Sequence, residues 1–224
     1  MSQSAWDRHY ANLKNPSWAD RPSIFVQAAL PHFPAEGRIL ELGAGCGQDT
    51  RFFAEKGYEV VSTDGSEPAV ELNVRMIPDG LRSRITCQRM DMGLDFPFDS
   101  GSFDAVYAHL SIHYFSWETT ERMVGEILRV LKGGGVFAFI ANSTRDPDYG
   151  TGPRIEDDFF MIGTATKRYF CVESVRKLVA SFEILLLDNL GESYGKAEHG
   201  VHNLIRFVGR KPQQRRAGGS IGLP

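Results

Sequence analysis

Arg38-Ile39-Leu40-Glu41-Leu42-Gly43-Ala44-Gly45-Cys46-Gly47 is the stretch whose reading decides the fold. Its first five residues read as a buried strand. Its last five form a glycine turn, where the missing Cβ lets backbone approach a ligand closely. Gln48 to Lys56 then reads as a helix, stopped by Gly57 at the C′ position. Tyr58 to Thr63 reads as a second strand. Ser66-Glu67-Pro68 reads as an N-cap and a first helical turn, and Val70, Val74 and Ile77 carry that helix to Pro78. Arg84 to Arg89 and Phe103 to Ala108 read as the third and fourth strands. Val124, Ile127, Leu128 and Leu131 share one face of a further helix. Gly133-Gly134-Gly135 is expected to break it, and Val136 to Ala141 to form a fifth strand. Strands alternating with helices in this way predict an α/β fold, a mostly parallel doubly wound sheet with helices on both faces.

After Asn142 the rhythm stops. Ser143 to Lys167 is rich in Asp, Gly, Thr and Pro, and is expected to be an irregular, mobile cover at the ligand edge of the sheet. A helix from Val172 to Ala180 and strands at Glu183 to Leu187 and Val201 to Val208 follow. The tail from Pro212 has the composition of a disordered end.

The 224 residues suit one domain. A content of 42% hydrophobic and 24% charged residues supports a packed core and excludes wholesale disorder. The net charge of −3 disfavours holding nucleic acid or an anionic membrane through a global basic field. No apolar run nears the roughly 20 residues that cross a bilayer, and Met1 to Trp18 has no apolar signal core. Cys46, Cys87 and Cys171 lie far apart with no CxxC pair, so neither a disulfide framework nor a zinc ribbon is indicated. His109 and His113 have HxxxH spacing but no third ligand, so no metal site is expected. These features lead to the expectation of a soluble, cytoplasmic protein, monomer or homodimer, with no membrane or stable nucleic-acid partner.

The turn lies at the carboxyl end of the first strand, the ligand crevice of an open α/β sheet. Its spacing is G-x-G-x-G, with Gln48 where a dinucleotide fingerprint needs its third glycine. Glu41 beside the turn would repel a pyrophosphate and attract a ligand carrying an amino group and a sulfonium. Asp64 ends the second strand, where a carboxylate can accept from ribose hydroxyls. Asp91-Met92 ends the third, where a carboxylate can take an adenine amino group and a thioether can lie against the ring.

At this point the chain resembles the class I S-adenosylmethionine-dependent methyltransferases. The resemblance rests on Glu41 to Gly47, Asp64 and Asp91-Met92. It rests also on Phe96 to Val106 before the fourth strand and Leu128 to Gly135 before the fifth, and it spans roughly residues 36 to 142. It implies seven strands, with the last antiparallel and inserted between the fifth and sixth. It implies S-adenosylmethionine as cofactor, S-adenosylhomocysteine as product, and SN2 methyl transfer to a small-molecule acceptor. It divides a single domain, 1–211, into an N-terminal lid (1–34), a cofactor half (36–142), a substrate-side insertion (143–170) and C-terminal strands (171–211), with a tail at 212–224.

The cofactor set implied is Glu41, Gly43, Ala44 and Gly45 at the methionine end, and Asp64 with Gly65 and Ser66 at the ribose. Asp91 and Met92 would meet the adenine, His109 the methionine portion and the acceptor, and Tyr10 and Trp18 would close from the lid. His109 and His199 are candidate bases if the acceptor is a poor nucleophile. A looser similarity to tellurite-resistance and thiol methyltransferases implies a small, anionic acceptor. Arg168 and Lys196 would then be counter-charges, with His113, Tyr149 and Tyr169 nearby. The competing expectations are a methyltransferase for protein or RNA, a silent cofactor-binding scaffold, and an NAD-dependent enzyme. An Asn-Pro-Pro-Tyr motif is absent after the fourth strand, where His109-Leu110-Ser111-Ile112 stands instead, which argues against an exocyclic-amine or glutamine target.

Overall fold

A computed structural model describes residues 3–13, 19–192 and 203–213. The elements are α1 (Gln3–Asn12), α2 (Ile24–Ala29), β1 (Arg38–Leu42), α3 (Gln48–Glu55), β2 (Glu59–Asp64), α4 (Glu67–Met76), β3 (Ile85–Arg89), β4 (Phe103–His109) and α5 (Trp117–Val130). There follow β5 (Leu131–Ala141), β6 (Arg154–Glu156), β7 (Phe159–Ile162), β8 (Ala165–Arg168), α6 (Val172–Leu178), β9 (Glu183–Gly191) and β10 (Leu204–Arg210). The main sheet runs β3-β2-β1-β4-β5-β10-β9, so the final strand lies between the fifth and the ninth. β10 is antiparallel to both neighbours, and β1 to β5 pair in parallel.

Alternation along the strands sorts side chains onto two apolar layers. Leu40, Val106 and Phe137 pack with Met123 and Ile127 of α5 and Val175 of α6 on one face. Ile39, Ala105 and Tyr107 pack with Phe25 of α2 and Phe53 of α3 on the other. Glu41 and Tyr107 are register partners on this second face, near the carboxyl edge of the sheet.

Two expectations are corrected. Gly133 to Gly135 do not separate α5 from β5; the strand begins at Leu131 and runs through them. Gly134 N donates to Lys211 O, and Lys211 N to Gly135 O, so the glycines are paired with the residue just past the end of β10 rather than looped out. The region after Asn142 is irregular only as far as Pro153. β6, β7 and β8 form an antiparallel meander, and their strands of three or four residues are too short to show a period.

Gly47 occupies the N-cap of α3 at φ +75°. A Cβ there would overlap the carboxamide of Asn73, which is buried and donates from Nδ2 to Ser62 Oγ at 2.8 Å. Gly47→Ala should therefore lose about 2 kcal/mol, the left-handed penalty plus the displacement of Asn73. Urea denaturation checks this, and a midpoint unchanged from the parent would mean the turn relaxes freely.

Candidate active site

The glycine turn is shaped by its own backbone. Gly43, Gly45 and Gly47 have φ of +71°, +56° and +75°. Gly43 N and Ala44 N both donate to Thr63 O, at 2.8 and 2.9 Å, tying β1 to the end of β2. Asp64 then clamps the turn from the side. Its Oδ2 accepts from Gly45 N and its Oδ1 from Ser66 N, each at 2.9 Å. Ser66 is at the N-cap position of α4, yet its side chain makes no capping bond, contrary to the expectation. Its Oγ is instead buried without a hydrogen-bond partner.

The chain after β4 closes over the turn. Leu110 adopts φ +53°, a strained conformation for a residue with a Cβ. That bend brings Ser111 back so that its Oγ donates to Leu42 O at 2.7 Å. Ser111 then lies against Gly43, where a Cβ would collide with it. Tyr10 of α1 approaches from the opposite side, and a Cβ on Gly45 would come within 2.5 Å of its hydroxyl oxygen.

These elements enclose a cavity of about 580 Å³. Glu41, Asp64, Asp91, Met92, His109 and Tyr10 all line it, together with Gly43, Ala44, Gly45, Gly65 and Ser66. Trp6 closes the lid side, its ring 5.1 Å from Tyr114 in an edge contact. Glu41 is 3% exposed and accepts from Thr50 Oγ1, which lies 2.8 Å from Ser62 Oγ. Burial first, and the charge of Asp49 second, hold the Glu41 carboxyl well above its ordinary range. Burial likewise raises Asp64, against the lowering effect of its backbone donors. The same desolvation lowers His109, with Asp49 opposing it.

The other anticipated residues fall elsewhere. His113, Tyr149, Arg168 and Tyr169 do not line this cavity. Arg168 is 2% exposed and ion-paired with Glu156, so it is not a counter-charge waiting for an anionic acceptor. Tyr169 is buried against Tyr149 and Phe160, and the Tyr149 hydroxyl donates to Asp158 at 2.7 Å. His113 is buried under Tyr114. Trp18, Lys196 and His199 lie outside the described residues, as does the tail beyond residue 213. Sequence reasoning missed Ser23, Gln48, Asp49 and Tyr114 as lining residues. Gln48 and Asp49 carried a signal, because they occupy the first turn of the helix that follows the glycines. Ser23 carried none.

A methyltransferase-domain family model matches residues 39–135. An uncharacterized methyltransferase of Mycobacterium bovis is 31% identical over 131 residues, 58% of this chain and 50% of that one. A demethylmenaquinone methyltransferase of Clavibacter sepedonicus is 35% identical over 107 residues, 48% of this chain and 42% of its own. The chain spans about half the length of the curated relatives it matches. Among solved structures, an S-adenosylmethionine-dependent methyltransferase of Methanosarcina mazei superposes with a TM-score of 0.72 at 18% identity, covering 87% of this chain and all of its own. Among the described residues, no helix is long and apolar enough to cross a membrane. The matched domain and the strand order converge: residues 39–135 match a methyltransferase domain, and the fold is that of solved S-adenosylmethionine-dependent methyltransferases.

Proposed function

We propose that this protein transfers the methyl group of S-adenosylmethionine to a small-molecule acceptor. One observation carries the reading. Glu41, Asp64 and Asp91 line the same cavity as the glycine turn and His109. Bound there, the cofactor supplies an electrophilic methyl group on a sulfonium.

The residues fit such a ligand. Each oxygen of Asp64 already accepts one backbone N–H, which leaves a lone-pair site on each for a ribose hydroxyl. Asp91 Oδ1 accepts from Gly93 N at 2.8 Å, leaving Oδ2 for an adenine amine. Met92 lies beside it for the ring. Burial outweighs the charge of Arg51 at Glu41, and a ligand ammonium would favour its charged form. Ser66 Oγ and Gln48 Oε1 are buried without hydrogen-bond partners, so a polar ligand on the turn would satisfy both. Gly43 and Gly45 keep the floor free of Cβ atoms. Trp6 and Tyr10 exclude water from the reacting end, which strengthens charge interactions there. In this reading His109, which lines the same cavity, meets the acceptor. Much of the rate enhancement of an in-line transfer comes from this positioning.

A cavity of this volume under a helical lid suits a small acceptor. The Clavibacter relative is, by its name, a methyltransferase of demethylmenaquinone. The test has two parts. S-adenosylhomocysteine at about a hundred times its Kd should add about 2.7 kcal/mol to the stability, and NAD should add none. Stabilisation by NAD alone would sink the reading. Methyl-labelled cofactor should then label a small-molecule fraction of a cell extract, whereas label confined to protein or RNA would overturn the acceptor class.

A further inference from the structure

The cavity wall holds a carboxylate that the cofactor reading does not use. Asp49, in the first turn of α3, is 1% exposed and lines the cavity. Its Oδ1 accepts from Ser23 N at 2.7 Å, and its Oδ2 from the Tyr107 hydroxyl at 3.0 Å. Ser23 Oγ lies 2.9 Å from that same hydroxyl. With both oxygens held, the carboxylate cannot swing away. Tyr107 and His109 are two residues apart on β4, so their side chains leave the same face of the sheet. The group that anchors Asp49 is thus the neighbour of His109 on that face. His109 lines the cavity too, and its Nε2 is buried without a hydrogen-bond partner.

We propose that Asp49 is the positioning residue of His109, and that the pair equips the site for an acceptor whose nucleophile carries a proton, namely a hydroxyl group. This rests on the methyltransferase reading. The charged and titratable groups that line the cavity with the imidazole are Asp49 from α3, Glu41 from β1, Asp64 from β2, Tyr10 from α1, Cys46 from the glycine turn, Asp91 from the segment after β3 and Tyr114 from the turn after β4, and among them Asp49 is the charge that acts on it. Burial disfavours the imidazolium, and Asp49 favours it. In the step itself, the hydroxyl oxygen forms the bond to the methyl carbon as the carbon–sulfur bond breaks. The bonding pair leaves with sulfur, giving the neutral thioether. The hydroxyl proton passes to the imidazole, and the Asp49 charge compensates the imidazolium that results. A thiolate acceptor would need neither group.

The first test needs no acceptor and no cofactor. The full chain is labelled with ¹⁵N in its histidines, and His109 is assigned by the loss of its signals in H109Q. Asp49→Asn keeps an oxygen for Ser23 N and removes the charge. Its His109 titration should move to lower pH than the parent's, and Asp49→Ser should move it the same way. Asp49→Glu and Tyr107→Phe keep the charge and should leave it near the parent's. A titration unmoved in both charge-free variants assigns Asp49 a structural role and overturns the proposal.

The second test uses S-adenosylmethionine with a panel of phenols, alcohols and thiols. Transfer to hydroxyl compounds is expected, with at least a tenfold loss in D49N at pH 7 and unchanged affinity for S-adenosylhomocysteine. Transfer to thiols alone overturns the hydroxyl assignment. A tenfold weaker S-adenosylhomocysteine affinity in D49N would make Asp49 a cofactor ligand instead. Failure of the parent to bind S-adenosylhomocysteine would sink the methyltransferase reading, a result separate from the histidine titration.

Discussion

Replacing Arg168 by methionine lowers the stability of the fold by about 3 kcal/mol. Arg168 ends β8, and its side chain is 3% exposed. Its Nη2 donates to the Glu156 carboxylate, its Nε to Phe115 O at 3.1 Å, and its Nη1 to Asp157 O at 3.1 Å. The guanidinium also lies 4.9 Å from the Phe159 ring centre and 5.5 Å from that of Trp117. Glu156 in turn accepts from Trp117 N at 2.9 Å, at the start of α5. One side chain therefore ties the meander to both the turn after β4 and the first turn of α5. Methionine keeps the length and the apolar packing and removes every donor. Two carbonyls and a carboxylate are then left short of partners. The effect is placed at the low end for a broken buried pair because the Glu156 side chain is 37% exposed. Urea denaturation measures the loss, and hydrogen exchange should show it concentrated in β6 to β8. Affinity for S-adenosylhomocysteine should change less than twofold, since Arg168 does not line the cavity. Full stability combined with weakened acceptor binding would restore Arg168 to the role of counter-charge.

This residue marks a boundary in what the sequence made legible. The order of β1 to β5 could be read because β1, β4 and β5 carry mostly apolar, buried runs, and the first is closed by a glycine turn that admits few alternatives. Glu41, Asp64 and Asp91 could be read too, since each falls at or near the end of a strand. The meander could not. Its strands are held by Arg168, whose partners lie 11, 12 and 53 residues away. A buried ion pair leaves no periodic trace, and Arg168 in a polar segment looks like a solvent-facing cation. The Ser23–Asp49–Tyr107 cluster was hidden in the same way, with separations of 26 and 58 residues. The three glycines after α5 failed by a different route. They were read as a local stop signal, but the pairing that absorbs them comes from β10, which sheet topology supplies. Local signals located the elements and the residues at strand ends. Contacts between distant segments decided which polar side chains face the cavity.

Asp64→Ala should weaken S-adenosylhomocysteine binding by about 1.5–3 kcal/mol, roughly tenfold to a hundredfold in Kd. Two contributions add in that variant. The carboxylate offers its remaining lone pairs to the ligand, and it also holds Gly45 N and Ser66 N in place. Removing it leaves two N–H groups of the turn without their acceptor, so the unliganded protein should also melt lower. Asp64→Asn separates the two. Its single carboxamide oxygen can keep one of the backbone bonds, and its amide group cannot accept at all. The turn should therefore be partly retained while ligand acceptance is cut by half and the charge is lost. Affinity in D64N close to that in D64A, with most of the thermal stability recovered, would assign the binding loss to the carboxylate itself. Affinity recovering in step with the melting temperature would assign it to the shape of the turn. Titration calorimetry with S-adenosylhomocysteine, paired with melting of the unliganded proteins, distinguishes these results. An unchanged Kd in Asp64→Ala would remove this carboxylate from the ligand altogether and leave it as the clamp of the glycine turn.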